Sequence, residues 1–283
     1  MQIQTVNINE LEYIRSICLD PSVDKKTRSL MENGMAIRTN WIKKMKQKGL
    51  EILVAVEKPK EETIHYKWVG KIQHSDLAVF STVPMGLLEY LPIEYALEPI
   101  VGSNSLFINC MWILPPFWRS GVATALINEF INKAKNDGGA CIIAYDGDKW
   151  FDTSIKYMPS SFFKKFGFKE IDREGTRVLL FLDLGSSTPP KFIQSKSEDL
   201  SKKDLLTLDL FYNSQCPWAW FMINSVKNKL KGYPNINLNL VNTDNRKVIE
   251  NYGISRGIRI NGKPVIKRMA TWNEIKKEID KVL

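Results

Sequence analysis

Asn109-Cys110-Met111-Trp112-Ile113-Leu114-Pro115-Pro116-Phe117-Trp118-Arg119-Ser120-Gly121-Val122-Ala123-Thr124-Ala125-Leu126 is the stretch on which the reading of this chain turns. The apolar run 106–114 reads as a buried strand. Pro115 and Pro116 stop it, because neither can donate to a sheet ladder. A helix is expected from about Ser120 to Lys135, since Val122, Leu126, Phe130 and Ala134 recur every four residues and form one apolar stripe. Asp137-Gly138-Gly139 ends it. The turn between strand and helix carries the chemistry. The first N–H groups of a helix have no internal partner and the dipole is positive there, so such an end suits phosphate. Gly121 lets a ligand approach the backbone without meeting a Cβ, Ala123 and Thr124 stay small, and Arg119 adds a planar cation. An ordinary strand–turn–helix with a glycine at its helix start fits the same residues.

This stretch resembles the coenzyme A loop of the GNAT N-acetyltransferase superfamily, whose pattern is Arg/Gln-x-x-Gly-x-Gly/Ala. Gly121 and Ala123 match the last two fixed positions, while Trp118 stands where Arg or Gln is usual and Arg119 is displaced by one. The departure touches one side-chain contact and leaves the backbone contacts intact. The resemblance implies that N–H groups of Arg119, Ser120, Gly121, Val122, Ala123 and Thr124 hold the pyrophosphate of acetyl-CoA. It also implies that the strand edge at Trp112, Ile113 and Leu114 pairs with the pantetheine arm. A second superfamily motif, Phe162-Phe163-Lys164-Lys165-Phe166-Gly167-Phe168, is a helix closed by glycine and entering a strand. The superfamily often places a tyrosine, as general acid, four residues before the glycine. Here Phe163 stands there and cannot donate a proton, which leaves the role vacant or open to another group such as Tyr157.

The chain has 283 residues, 44% of them hydrophobic and 25% charged, enough for one large or two ordinary domains with real cores. Residues 1–20 lack a basic start followed by an apolar core, so no signal peptide is expected. No run approaches the roughly 18 apolar residues of a membrane helix, so no membrane association is expected. Cys18, Cys110, Cys141 and Cys216 are far apart with no CxxC pair, and His65 and His74 are isolated, so neither a disulfide framework nor a metal site is expected. These features fit a cytoplasmic protein. The net charge of +9 lies mostly beyond residue 190, where 17 basic residues face 9 acidic ones. The basic residues are scattered and no aromatic RNA signature accompanies them. A solvated lysine-rich surface is therefore expected rather than a nucleic-acid partner.

Ahead of the central stretch, 2–6 reads as a strand, 9–19 as a helix with Asn9 as its cap, and 26–48 as a helix or helix pair broken near Asn33-Gly34. Residues 52–57 and 66–73 read as a strand pair. Residues 81–86 read as a turn, and 89–99 as a segment in which Glu89, Glu94 and Glu98 interleave with aromatic and proline residues. A carboxylate held beside tyrosines is desolvated and suited to act as general base for an ammonium substrate. An exposed amphipathic loop fits as well. The segment resembles one in acetyltransferases that carry a C-terminal YoaP-type module, which makes Glu94 and Glu89 the substrate-side candidates. Behind the central helix, 140–145 is a buried strand, and 169–172 with 178–184 form a closing hairpin.

Gly185-Ser186-Ser187-Thr188-Pro189-Pro190 punctuates the chain, and a linker is expected over 186–204. Residues 205–283 then give β-α-β-α-β-β-α, with a type I′ turn at Asn261-Gly262 and Thr271 capping the last helix. This order resembles thioredoxin-like folds, and Cys216-Pro217 at a strand-to-helix turn resembles their active site. Ala219 replaces the second cysteine, so intramolecular dithiol chemistry is ruled out. Cys216 is left as a monothiol of lowered pKa or as part of a docking module.

The expected fold class is α/β (α+β). A GNAT acetyltransferase fold with a mixed central sheet spans 1–185, and a small thioredoxin-like, YoaP-like domain spans 205–283. The expected function is transfer of an acetyl group from acetyl-CoA to a small-molecule or peptide amine, with Glu94, Tyr157 and Cys216 as catalytic candidates. A coenzyme A-binding sensor, or a monothiol protein acting through Cys216, is the alternative, and a homodimer stays open.

Overall fold

The computed structural model describes residues 1–19, 24–66, 69–147, 158–185, 188–198 and 205–283. Tyr157 and the stretch 148–157 around it lie outside the described residues. The first part of the chain runs β1 (Gln2–Thr5), α1 (Glu12–Cys18), α2 (Lys25–Lys46), β2 (Glu51–Glu57), the hairpin β3 (Thr63–Tyr66) and β4 (Gly70–Gln73), then β5 (Val83–Pro92) and the short β6 (Ile100–Val101). It continues through β7 (Leu106–Ile113), α3 (Val122–Ala134), β8 (Gly139–Tyr145), α4 (Ser160–Lys164), β9 (Lys169–Glu174), β10 (Arg177–Asp183) and β11 (Lys191–Phe192). Seven of these strands form one mixed sheet in the order β1-β2-β5-β7-β8-β10-β9, in which only β7 and β8 run parallel.

The apolar stripe expected of α3 is the one observed: Val122, Leu126, Ile127, Phe130 and Ala134 are buried against this sheet. Several expectations for the first half are corrected. Residues 52–57 and 66–73 are not a strand pair: β2 pairs with β1 and β5, while β3 and β4 form a hairpin of their own. Residues 83–92 are not a turn and loop, because β5 is a buried central strand paired with β2 and β7 on its two sides. Its near-continuous apolar run is what a strand buried on both faces requires. Nor does the chain break at Asn33-Gly34, since α2 is one continuous helix of 22 residues. Asp24 starts it by accepting from the N–H groups of Lys26 and Thr27, both at 3.0 Å. Its inner face is Met31, Gly34, Met35, Arg38, Trp41, Ile42 and Met45, a 3-4 spacing that holds through Gly34.

The remaining chain forms β12 (Leu206–Tyr212), α5 (Pro217–Leu230), β13 (Ile236–Asn242), α6 (Arg246–Tyr252), β14 (Gly257–Ile260), β15 (Lys263–Ile266) and α7 (Trp272–Ile279). The β-α-β-α-β-β-α order expected from the sequence is therefore present. Its sheet has the order β13-β12-β14-β15, with β12 and β13 parallel and the others antiparallel. A separate core of Leu208, Leu210, Ile223, Val226, Ile258 and Ile275 fills it. Ile249 of α6 belongs instead to the larger N-terminal core.

The segment expected as a linker is tied down where it is described. β11 pairs with β6, the Lys196 N–H donates to the Tyr252 carbonyl, and the Glu198 N–H donates to the Gly262 carbonyl. Its backbone groups find partners in both parts of the chain, which a polar composition does not reveal.

The two parts of the chain meet along α2 and α5, and Gly34 lies in that contact. A Cβ there would sit 2.7 Å from the Pro217 carbonyl oxygen and 3.1 Å from Trp220 Cβ. In an isolated helix Gly34→Ala would stabilise by about 1 kcal/mol. Here overpacking against a rigid backbone costs about 1–3 kcal/mol, so Gly34→Ala is expected to lower the melting temperature. A raised melting temperature would mean that the two helices do not pack at this distance.

Candidate functional site

The site starts from the pairing of β7. On its β5 side the ladder is nearly complete, but Glu89 faces Cys110 while Tyr90 faces Ile108, so Asn109 is the extra residue of a β-bulge. On its β8 side only Leu106 with Ala140 and Phe107 with Cys141 are paired. Beyond them the two strands separate, and among the described residues no strand pairs with the rest of that edge. The chain leaves that edge through a 3-10 turn at Pro115–Phe117. Trp118 Nε1 donates to the Ile113 carbonyl at 2.8 Å and Ser120 Oγ to the Phe117 carbonyl at 2.6 Å, which fixes the turn. Gly121 is left-handed at φ 85°, with open space where a Cβ would stand. Arg119 is also left-handed, at φ 62°. The first helical bond of α3 is from Ala125 N–H to the Gly121 carbonyl. Among the described residues, no acceptor meets the N–H groups of Arg119, Ser120, Gly121, Val122, Ala123 or Thr124. Six unpaired donors at a positive helix end, next to an open strand edge, suit an extended ligand that carries phosphates.

Inside the fork between β7 and β8 lies a cavity. Phe107, Ile108 and Asn109 line it from β7, Ile143 and Tyr145 from β8, and Glu98, Met158 and Arg177 close its sides. The other wall is C-terminal: Ser255, Arg256, Lys267, Arg268 and Met269. Glu98 accepts from Ser255 Oγ at 2.6 Å and pairs with Arg256. Arg177 Nη1 donates to the Lys267 carbonyl at 2.9 Å, and Glu174 pairs with both Arg177 and Lys267. Burial pushes the Tyr145 phenol above its ordinary value, so it stays protonated at neutral pH and can donate.

Behind the bulge runs a buried polar chain. Arg38 of α2 donates to Glu89 at 2.8 Å and to the Gln215 carbonyl. Asn109 Nδ2 donates to the other Glu89 oxygen, and Gln215 Nε2 donates to the Asn109 carbonyl at 2.8 Å. These four side chains are at most 3% exposed. Burial works against the charge of Arg38, but Glu89 favours it and prevails, so the guanidinium is held above its ordinary value. Burial also pushes the Cys18 thiol up to about 11 and the Cys110 thiol well above its ordinary value, against the pull of Arg38. Both therefore remain neutral thiols.

The sequence-derived candidates separate into groups. Residues 112–114 and 119–124 come together as the strand edge and turn described above. Glu94 is exposed on the turn after β5, accepts from the Asn104 N–H at 3.1 Å, and is not among the residues lining the cavity. Glu89 is enclosed by Arg38 and Asn109 rather than presented to a substrate. Cys216 is the N-cap of α5 and lines a different depression with Gly34, Tyr212, Ser214, Trp220 and Asn242. Tyr157 lies outside the described residues. Phe163 is fully buried in the core. Arg38, Asn109, Tyr145, Arg177 and Gln215 lie in this cavity or the polar chain behind it and are not among the sequence-derived candidates. Arg38 did leave a signal, a charge on the apolar face of an amphipathic helix. No helix of the described residues is long and apolar enough to cross a membrane. Among them, no group of three or more His, Cys, Asp or Glu side chains is placed to hold a metal ion.

Residues 42–168 match the family model of the acetyltransferase (GNAT) family. An uncharacterized N-acetyltransferase of Bacillus subtilis (strain 168), YoaP, is 31% identical over 144 residues, which are 50% of this chain and 55% of that protein. The match thus spans about half the length of the curated relative. Solved structures with a related trace include a GNAT family acetyltransferase from Brucella melitensis in complex with acetyl-CoA. It is 14% identical, with 66% of this chain and 90% of that one covered, at a TM-score of 0.36. Another is the GNAT family N-acetyltransferase YhbS from Escherichia coli in complex with CoA, 10% identical, covering 68% and 88%, at a TM-score of 0.39.

Removing Arg38 would leave Glu89 buried without its cation. Arg38→Met is expected to cost about 3–5 kcal/mol in urea denaturation, and Arg38→Met/Glu89→Leu to recover much of it. Equal losses in both variants would mean that Arg38 is not the group that offsets the buried charge of Glu89.

Proposed function

We propose that the chain is an acetyl-CoA-dependent N-acetyltransferase. In this reading residues 1–185 form the acetyltransferase domain, 186–204 connect, and 205–283 form a thioredoxin-like module that closes the amine side of the site. The observation that carries it is the set of unpaired N–H groups over 119–124 following a bulged strand that parts from its parallel neighbour. It falls inside the stretch matched by the GNAT family model. The residues fit the coenzyme: the donors of 119–124 would hold its pyrophosphate, Arg119 would add charge, and the edge at Trp112, Ile113 and Leu114 would pair with its amide-bearing arm.

When bound, acetyl-CoA supplies an acyl thioester. The amine nitrogen bonds to the carbonyl carbon, the carbon–sulfur bond breaks, and the sulfur leaves with one proton while the nitrogen loses one. Backbone N–H groups on the unpaired side of β7 polarise the carbonyl oxygen. Tyr145, on the cavity wall and protonated, is the donor for the leaving sulfur, the role Phe163 cannot fill. Asn109 Oδ1 accepts from the amine N–H. The cavity-lining carboxylate, Glu98, is held by Arg256 and Ser255, so the amine proton passes to water. Glu94 and Cys216 have no part in this step.

Calorimetric titration of acetyl-CoA is expected to show micromolar binding in the wild type, at least a hundredfold weaker binding in Gly121→Glu, and unchanged binding in Tyr145→Phe. Tyr145→Phe is expected to lower kcat ten- to a hundredfold. No binding to the wild type would refute the reading, and an unaltered kcat in Tyr145→Phe would refute the role of the phenol.

A further inference from the structure

The cavity in the fork has an uneven charge, and what it implies rests on reading that cavity as the amine site. Four cations line it, Arg177, Arg256, Lys267 and Arg268, against one carboxylate, Glu98. Glu98 is taken by Arg256. Arg268 is paired with Glu274, and a single carboxylate, Glu174, serves both Arg177 and Lys267. Among the described residues, the wall and its partners thus keep one positive charge in excess, at Arg177 and Lys267.

Two buried polar atoms of the residues lining this cavity lack a partner among the described residues: the donor Arg177 Nε and the acceptor Asn109 Oδ1. Arg177 is 5% exposed and Asn109 3% exposed, so bulk water does not serve them. A buried donor beside surplus positive charge calls for an anionic acceptor. A buried acceptor at the bulge calls for an N–H. The cavity holds about 490 Å³ of empty space counting its open mouth, and the side chains of both parts of the chain crowd it. It suits a slender ligand rather than a bulky one.

We propose that the amine substrate is a small amino-carboxylate, with its carboxylate held by Arg177 and its amine by Asn109 Oδ1 in the fork between β7 and β8. A polycationic amine would bring like charge to this wall. The specificity-determining residues would then be shared between β10 and the strand-to-helix segment after β15, so both parts of the chain build the substrate pocket.

The test uses the full chain and two matched sets of probes. β-Alanine and γ-aminobutyrate carry a carboxylate, and ethylamine and propylamine are the same skeletons without it. Binding is read by calorimetry with and without acetyl-CoA, and turnover by release of the coenzyme A thiol. The carboxylated probes are expected to bind at least tenfold more tightly than their counterparts. Arg177→Gln is expected to remove that preference while acetyl-CoA binds as in the wild type. If Arg177→Gln does not fold, Arg268→Gln is expected to weaken the carboxylated probes three- to tenfold and to leave the simple amines unchanged. Equal or tighter binding of ethylamine and propylamine would overturn the proposal, as would weak binding of all four probes. If the carboxylated probes bind through Arg177 but acetyl-CoA does not bind, the anion-reading pocket stands and the acetyltransferase reading falls.

Discussion

The buried pair of Arg38 and Glu89 ties the molecule together. Each charge alone would be costly to remove from water, and each is held by groups from separate parts of the chain. Glu89 stands on β5, Arg38 on α2, Asn109 on the bulge of β7, and Gln215 just ahead of α5. The bonds differ in direction, so the four groups fit only when both sheets are seated. Such a network specifies an arrangement more than it adds stability. Here it sets the C-terminal layer against the bulge, at the mouth of the fork between β7 and β8.

That seating gives the cavity its second wall. The unpaired half of β7 is a sheet edge, which in an isolated domain would face solvent. With Ser255, Arg256, Lys267, Arg268 and Met269 across the gap, Ile108 and Asn109 of that edge line the cavity. The turn at 119–124 remains outside this closure, with Arg119, Ser120, Gly121 and Thr124 exposed. One ligand could thus lie across the turn while a second enters the fork, as a two-substrate transfer requires.

Much of this was legible in the sequence where local rules decide. The proline stop, the four-residue stripe of α3 and the Gly121 turn all follow from backbone chemistry, and the structure keeps them in place. The element order of the last third was equally readable, because its strands alternate and Gly253 and Thr271 mark helix ends. Where long-range contact decides, the reading failed. Gly34 looks like a helix breaker in isolation; it is a small residue kept inside one helix so that Pro217 can approach. Glu89 and Glu94 look alike in the sequence, two carboxylates beside tyrosines, yet one is enclosed by Arg38 and the other faces solvent. Nothing local marks Arg177, Asn109 or Gln215, since their roles depend on partners 20 to 177 positions away.

The measurement that bears most directly on the account is hydrogen–deuterium exchange of the whole protein with and without acetyl-CoA. The six unpaired amides of 119–124 exchange freely when nothing accepts from them, and a bound pyrophosphate should slow them. Slowed exchange is expected over 119–124 and along the 112–114 edge, with the fork-facing segment 267–269 protected in the same experiment. Unchanged exchange over 119–124 under saturating acetyl-CoA, or protection confined to the surroundings of Cys216, would contradict it.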